Sequence, residues 1–227
     1  MWPSSDTSSS RSTDFISTDI CRSRSDLPNA ESLVPNIRCK YFSENARNWW
    51  KVDILLNALS ALNSPVVVEC VSSTGSASPV AYVVDQNKIV IDSSSFLTPF
   101  SYRRALARGL VYAFDNARAK VDYSNIDHLT CTSIRAANIS GECDLWAKWT
   151  EYIGEDPLGM KMYSMKQRCV RGKVSEQILM ESRIHSAQEI EGALDRVWER
   201  CFRDHWPFTT EPHLDTRFRE SPIVRNS

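Results

Sequence analysis

Long apolar runs are missing from this 227-residue chain. Stretches such as Val80–Val84 and Ile54–Leu56 are far too short to cross a bilayer, so any membrane contact is expected to be peripheral. An excess of either charge is missing too. The chain has 27 basic and 28 acidic residues and a net charge of −1, which argues against nucleic acid as a partner and against a polyanionic tail. None of its seven cysteines stand as a CxxC pair, so the usual zinc-ribbon spacing is absent. Four histidines are present (His128, His185, His205, His213), and no two share a helix face at i, i+4. Large apolar groups are scarce in residues 1–38, where ten serines and three threonines predict a segment unable to fold alone. Asp6, Asp14, Asp19 and Asp26 argue against a cleavable mitochondrial presequence there, and no secretory apolar core follows the start.

What is present divides into three parts: an N-terminal extension over 1–38, a domain over 39–213 and a C-terminal tail over 214–227. Val52, Leu55, Leu56, Leu59 and Leu62 recur at helical spacing and predict one amphipathic helix over 44–62, ended by Asn63 and Pro65. "PVVVECV", "PVAYVV" and "KIVID" are short and β-branched, and predict three strands. Helices are predicted over 100–119, 129–139, the "CDLWAKWTEYI" segment, and 164–184 with a break near Gly172. A last helix opens on the capping-box spacing of Ser186 and Glu189 and stops before Pro207. A helix, a small sheet and then several helices make an α+β fold.

The stretch "RRALARGLVYAFDNARAKVDYSN", Arg103 to Asn125, raises the chemical question. A zincin helix presents two neutral imidazoles one turn apart, with a glutamate beside the first to activate water. Residues 108, 109 and 112 have that spacing but are Arg, Gly and Tyr. A guanidinium is always protonated and offers no acceptor, glycine brings no carboxylate, and a neutral phenol is a poor ligand. Glycine inside a helix also costs roughly 0.5–1 kcal/mol against alanine, which predicts that something packs closely on the backbone there. Elsewhere, His128 with Cys131 and Cys143 is a candidate structural zinc site, the alternative being local hydrogen bonding by His128. Ser133 and Ser140 lie on no nucleophile elbow, and "SSTGSAS" (72–78) lacks the ending of a phosphate loop.

Four stretches in order, "AFDNARAKVDYSN", "HLTCTSIRAANISGEC", "QRCVRGKVS" and "VWERCFRDHWPF", resemble one family. It is the mitochondrial zinc metalloprotease that matures an ATP-synthase subunit and assists that enzyme's assembly. The resemblance covers about residues 45–213 and is strongest after residue 100. It implies a zincin-like metalloprotease scaffold with a degenerate active-site helix. Arg108 and Tyr112 fall where the family's zinc histidines are expected, Gly109 where its general base is expected, and Ser133 where a third ligand would stand. Asp115, Arg118, Asp122, Arg135, Asn138 and Glu142 match family positions and are expected to pair structurally and fix how the helices join. Cys131, Cys143, Cys169 and Cys201 also match, which implies two bridges with three connectivities open. Asp92 stands where another family cysteine would be expected.

Three functions follow from the resemblance and the departures. The first is a catalytically inactive homologue built as an accessory subunit into ATP synthase or a respiratory-chain complex. The second is a free assembly chaperone for such a complex. The third is a metallopeptidase with unconventional ligands. The first expects no cofactor, protein subunits of an inner-membrane complex as partners, and a place on the intermembrane-space side of the mitochondrial inner membrane. Some of tryptophans 2, 49, 50, 146, 149 and 206 would share in the contact surface, and several of them belong to the core instead. Arg108 would either stack on Tyr112 and plug the cleft, or anchor a partner's carboxylate or a lipid phosphate.

Overall fold

The computed structural model describes residues 30–71, 78–96, 98–144, 163–181, 185–209 and 212. The predicted helix over "CDLWAKWTEYI", the "SSTGSAS" stretch, the C-terminal tail, His213, and Trp2, Trp146 and Trp149 lie wholly or mostly outside those residues. So does the extension, except its last residues.

Six α-helices and a three-stranded sheet are described, an α+β fold as expected. In chain order they are α1 (Ala30–Arg47), α2 (Trp50–Ala61), β1 (Val67–Val71), β2 (Val80–Val83), β3 (Lys88–Asp92), α3 (Pro99–Ala119), α4 (Ile126–Ile139), α5 (Tyr163–Glu181) and α6 (Ala187–Phe202). The sheet order is β1-β3-β2. β3 runs parallel to β1 and antiparallel to β2, so the two outer strands each pair on one side only among the described residues. Ile89 and Ile91 alternate onto the buried face of β3, the period-2 pattern of a half-covered sheet.

The single helix expected over 44–62 is two. The chain turns at Trp49, whose backbone is extended (φ −85°, ψ 123°) and whose ring is buried, and helix restarts at Trp50. Burying the Trp49 indole outweighs keeping the helix continuous across residues 48 and 49. α1 also begins at Ala30, so its first nine residues fall inside the stretch expected to be an unfolded extension. Cys39 explains part of this, because it is bridged to Cys70 on β1 and so ties the helix to the sheet. The break predicted near Gly172 is absent. α5 runs through it because that glycine faces open space, and a helical glycine there costs about 1 kcal/mol without breaking the hydrogen-bond ladder.

α3 is the axis of the fold. Thr98 caps it through a bond from the Ser101 amide, Pro99 opens it, and Lys120 closes it in the left-handed region (φ 48°). Residues 105–107 and 109–115 are buried, so the helix is covered almost all round. One core packs α1, α2 and the sheet against α3, and a second joins α4, α5 and α6. α4 serves both, with Ala136 and Ile139 toward the first and Ile134 and Ala137 toward the second. The capping box at the start of α6 closes as its spacing predicts.

Candidate functional site

The close packing predicted at Gly109 is real. A Cβ built there would lie 2.9 Å from Ile89 Cγ2, so α3 reaches β3 at a distance only glycine allows. This places the preceding turn of α3 beside the sheet's β2 edge. There, a groove of about 550 Å³ opens between α3, the start of β2 and the C-terminal half of α5. Phe96, Phe100 and Met180 give it apolar walls, and Arg108, Glu142 and Gln177 line it beside them.

Arg108 does not plug the groove by stacking, and it is not free to anchor a partner. Its Nη1 donates to both carboxylate oxygens of Glu142, at 3.1 and 2.9 Å, and its Nη2 donates to Gln177 Oε1. Gln177 in turn donates from Nε2 to the Tyr112 hydroxyl at 3.0 Å. That hydroxyl lies 2.8 Å from the Ser133 hydroxyl, which is fully buried. Glu142, Arg108, Gln177, Tyr112 and Ser133 therefore form one chain of polar contacts across α3, α4, α5 and the turn after α4. Sequence reasoning named all but Gln177. That residue carries no signal of its own, and only the packing of α5 on α3 brings it in.

These residues fail as a zinc site on their own chemistry. The Arg108 cation sits where a ligand is wanted and holds the nearest carboxylate, and Tyr112 and Ser133 satisfy each other. Among the described residues, no three His, Cys, Asp or Glu side chains gather as a metal cage. The candidate structural zinc fails as well. Cys131 is bonded to Cys201 and Cys143 to Cys169, so neither offers a thiolate. His128 Nδ1 instead accepts the Asp122 amide at 3.3 Å.

The residues expected to join helices sit apart from the groove. Arg135 is 1% exposed; its Nε donates to Asp115 at 2.9 Å, and its other nitrogens reach the carbonyls of Asp204 and Trp206. Arg118 bridges Asp115 and Asp204, and Asn138 donates to the Phe202 carbonyl. Glu142 is the exception, because it belongs to the groove. Asp122 caps a turn through the Ser124 amide. Sequence reasoning missed the Lys51 ammonium, fully buried between Asp144 (2.6 Å) and the carbonyls of Ile139 and Pro212. It also missed the Cys39–Cys70 bridge, for which an odd cysteine count gives no cue. Of the tryptophans expected to divide between contact surface and core, Trp206 is exposed, Trp50 is half-buried and Trp49 is buried.

A family model described as the Peptidase M76 family matches residues 38–209. The chain belongs to that family. It is 34% identical over 173 residues to the human mitochondrial inner membrane protease ATP23 homolog, covering 74% of this chain and 67% of the relative. The Danio rerio homolog of the same name is 36% identical over 56% of this chain, and the Xenopus laevis one 36% over 58%. The chain spans about half the length of those two, 48% and 54% respectively. No solved structure matches it. The resemblance to the mitochondrial metalloprotease family is thus established. The relatives are named for the mitochondrial inner membrane, and three disulfides suit an oxidising compartment.

The same names overturn another expectation. The chain was expected to be a non-enzymatic accessory subunit, but the M76 model is a peptidase model and these relatives are named as proteases. The expectation set departures at four positions beside a retained scaffold and a long N-terminal extension, whereas the peptidase kinship spans 172 residues of the fold.

Proposed function

We propose that this M76 member acts on polypeptides at the intermembrane-space face of the mitochondrial inner membrane, and that its groove is where they bind. The polypeptides are subunits of inner-membrane complexes, in keeping with the protease role for which its relatives are named. One observation carries this reading: a strand edge with no second strand beside it among the described residues lies at the lip of an apolar-walled groove. β2 bonds only to β3 among the described residues, and its first residue, Val80, lines the groove. An extended chain can add to such an edge through main-chain hydrogen bonds while its side chains enter the pocket. We read the scaffold as zincin-like on the same ground, with α3 beneath the sheet and β2 antiparallel at its rim. Zinc does not fit the residues at 108, 109, 112 and 133.

The test uses the full chain and fluorescein-labelled unfolded segments of inner-membrane subunits, with anisotropy for binding and mass spectrometry for cleavage products. Saturable binding, weakened by Phe100→Ala with Met180→Ala, supports the reading. Absence of binding to every segment sinks it.

A further inference from the structure

The groove holds an imbalance of charge. Three cations line it, Arg104, Arg108 and Lys173, against two carboxylates, Glu142 and Glu176. Arg108 is paired with Glu142, and Lys173 with Glu176 at 3.3 Å. Arg104 is left over. It is half-buried, and its guanidinium carbon lies 3.9 Å from the centroid of the Phe100 ring. No carboxylate among the described residues forms an ion pair or hydrogen bond with it. Burial pushes its pKa down against the pull of Asp144 and Glu142, so its charge is poorly solvated where it stands.

We infer that Arg104 receives a carboxylate of the bound polypeptide, so that the groove selects acidic segments whose neighbouring apolar side chain packs on Phe96, Phe100 and Met180. This rests on the reading of the groove as the polypeptide site. A guanidinium packed 3.9 Å from an aromatic centroid loses freedom to the ring, and its planar fork suits a two-point bond to a carboxylate. The remaining lining charges are matched, so a single negative group neutralises the site. An apolar wall beside one cation describes a ligand with an acid next to a large apolar residue.

The experiment measures binding of a short peptide carrying one Asp beside one Leu, together with its Asp→Asn form. Each is made with a free and with an amidated C-terminus, and each is tested on the wild type, Arg104→Gln and Arg104→Glu. The expected result is a preference for the acidic peptide of about tenfold or more, as for a charge-assisted bond. The preference disappears in Arg104→Gln and turns toward an Asp→Lys peptide in Arg104→Glu. The amidated forms show whether a side chain or the chain terminus supplies the carboxylate. Binding indifferent to peptide charge overturns this inference and leaves the polypeptide site standing. No peptide binding at all removes the site itself. Binding to anionic lipid vesicles that depends on Arg104, without a preference for acidic peptide, also overturns it. Melting temperatures of the variants exclude a fold defect, since Arg104 makes no ion pair within the described chain.

Discussion

The Arg108 Nη1 lies 2.9 Å from Glu142 Oε2, and so joins the middle of α3 to the turn that follows α4. Both side chains are mostly buried, 11% and 19% exposed. Removing one partner of such a pair leaves the other charge without its counterpart. Arg108→Leu is expected to destabilise the fold by about 1–3 kcal/mol. Glu142→Gln alone costs less, because the amide still accepts from Arg108. The double variant should cost less than the sum of the two singles. Urea denaturation of the four proteins in a mutant cycle checks this, and strict additivity would refute the coupling.

Tyr112 stands between Ser133 and Gln177. Tyr112→Phe keeps the ring, which stacks with Tyr123 at 6.4 Å, but leaves the buried Ser133 hydroxyl without the phenol oxygen. The expected loss is about 1–3 kcal/mol, and Ser133→Ala in the same chain should recover part of it. Thermal melts of the single and double variants decide between this and a purely apolar role for the ring.

Gly109→Ala places a methyl group 2.9 Å from Ile89 Cγ2, so the fully buried, β-branched Ile89 side chain must give way within the core. Helix propensity favours alanine by about 1 kcal/mol, yet the clash should dominate and destabilise by roughly 1–3 kcal/mol. Ile89→Ala removes the opposing atoms, so the double variant should be less destabilised than the two singles together predict. A stabilised Gly109→Ala protein would contradict the close approach.

The three strands, the capped last helix and the close contact at Gly109 were legible because local chemistry sets them. β-branched alternation, the Ser186/Glu189 pair and the cost of a helical glycine all act within a few residues. The division at Trp49 was not legible, since it depends on burying one indole against elements far along the chain. Gln177 and Lys51 escaped for the same reason. A polar residue on a helix announces nothing until its partners, here Arg108 and Asp144, arrive from elsewhere. The expectation of a non-enzymatic subunit came from the departures at residues 108, 109, 112 and 133 set against a retained scaffold and a long N-terminal extension, and the family match over 38–209 outweighed it.

The disulfide between Cys131 and Cys201 closes a stretch of 70 residues and staples α4 to α6 through the second core. Cys131→Ser with Cys201→Ser should lower stability by about 2–5 kcal/mol. The matching change at Cys143 and Cys169 should act on the groove as well, since that bridge ties the turn carrying Glu142 to the helix carrying Gln177. Peptide affinity falls in the second pair of variants and not in the first, once both are compared at temperatures where each is folded. Equal loss in both would show that the bridge does nothing local for the groove.

Glu189 gives an acid-side signature at the start of α6. Its carboxylate accepts the Ser186 amide at 2.8 Å and the Ser186 hydroxyl at 2.9 Å. The backbone bond, with the hydroxyl and the charge of His185 adding to it, holds the carboxyl below its ordinary value of 4.5. A carboxyl depressed in the folded state binds fewer protons there than in the unfolded chain. Its contribution is therefore complete above about 4.5 and is lost as pH falls from there through the lowered folded value. Glu189→Gln keeps a capping-box acceptor but removes the titration, so its stability should fall less steeply on acidification over that window. Urea midpoints of the two proteins across the acid range measure the difference. Parallel profiles would mean that the cap is not formed by the ionised carboxylate.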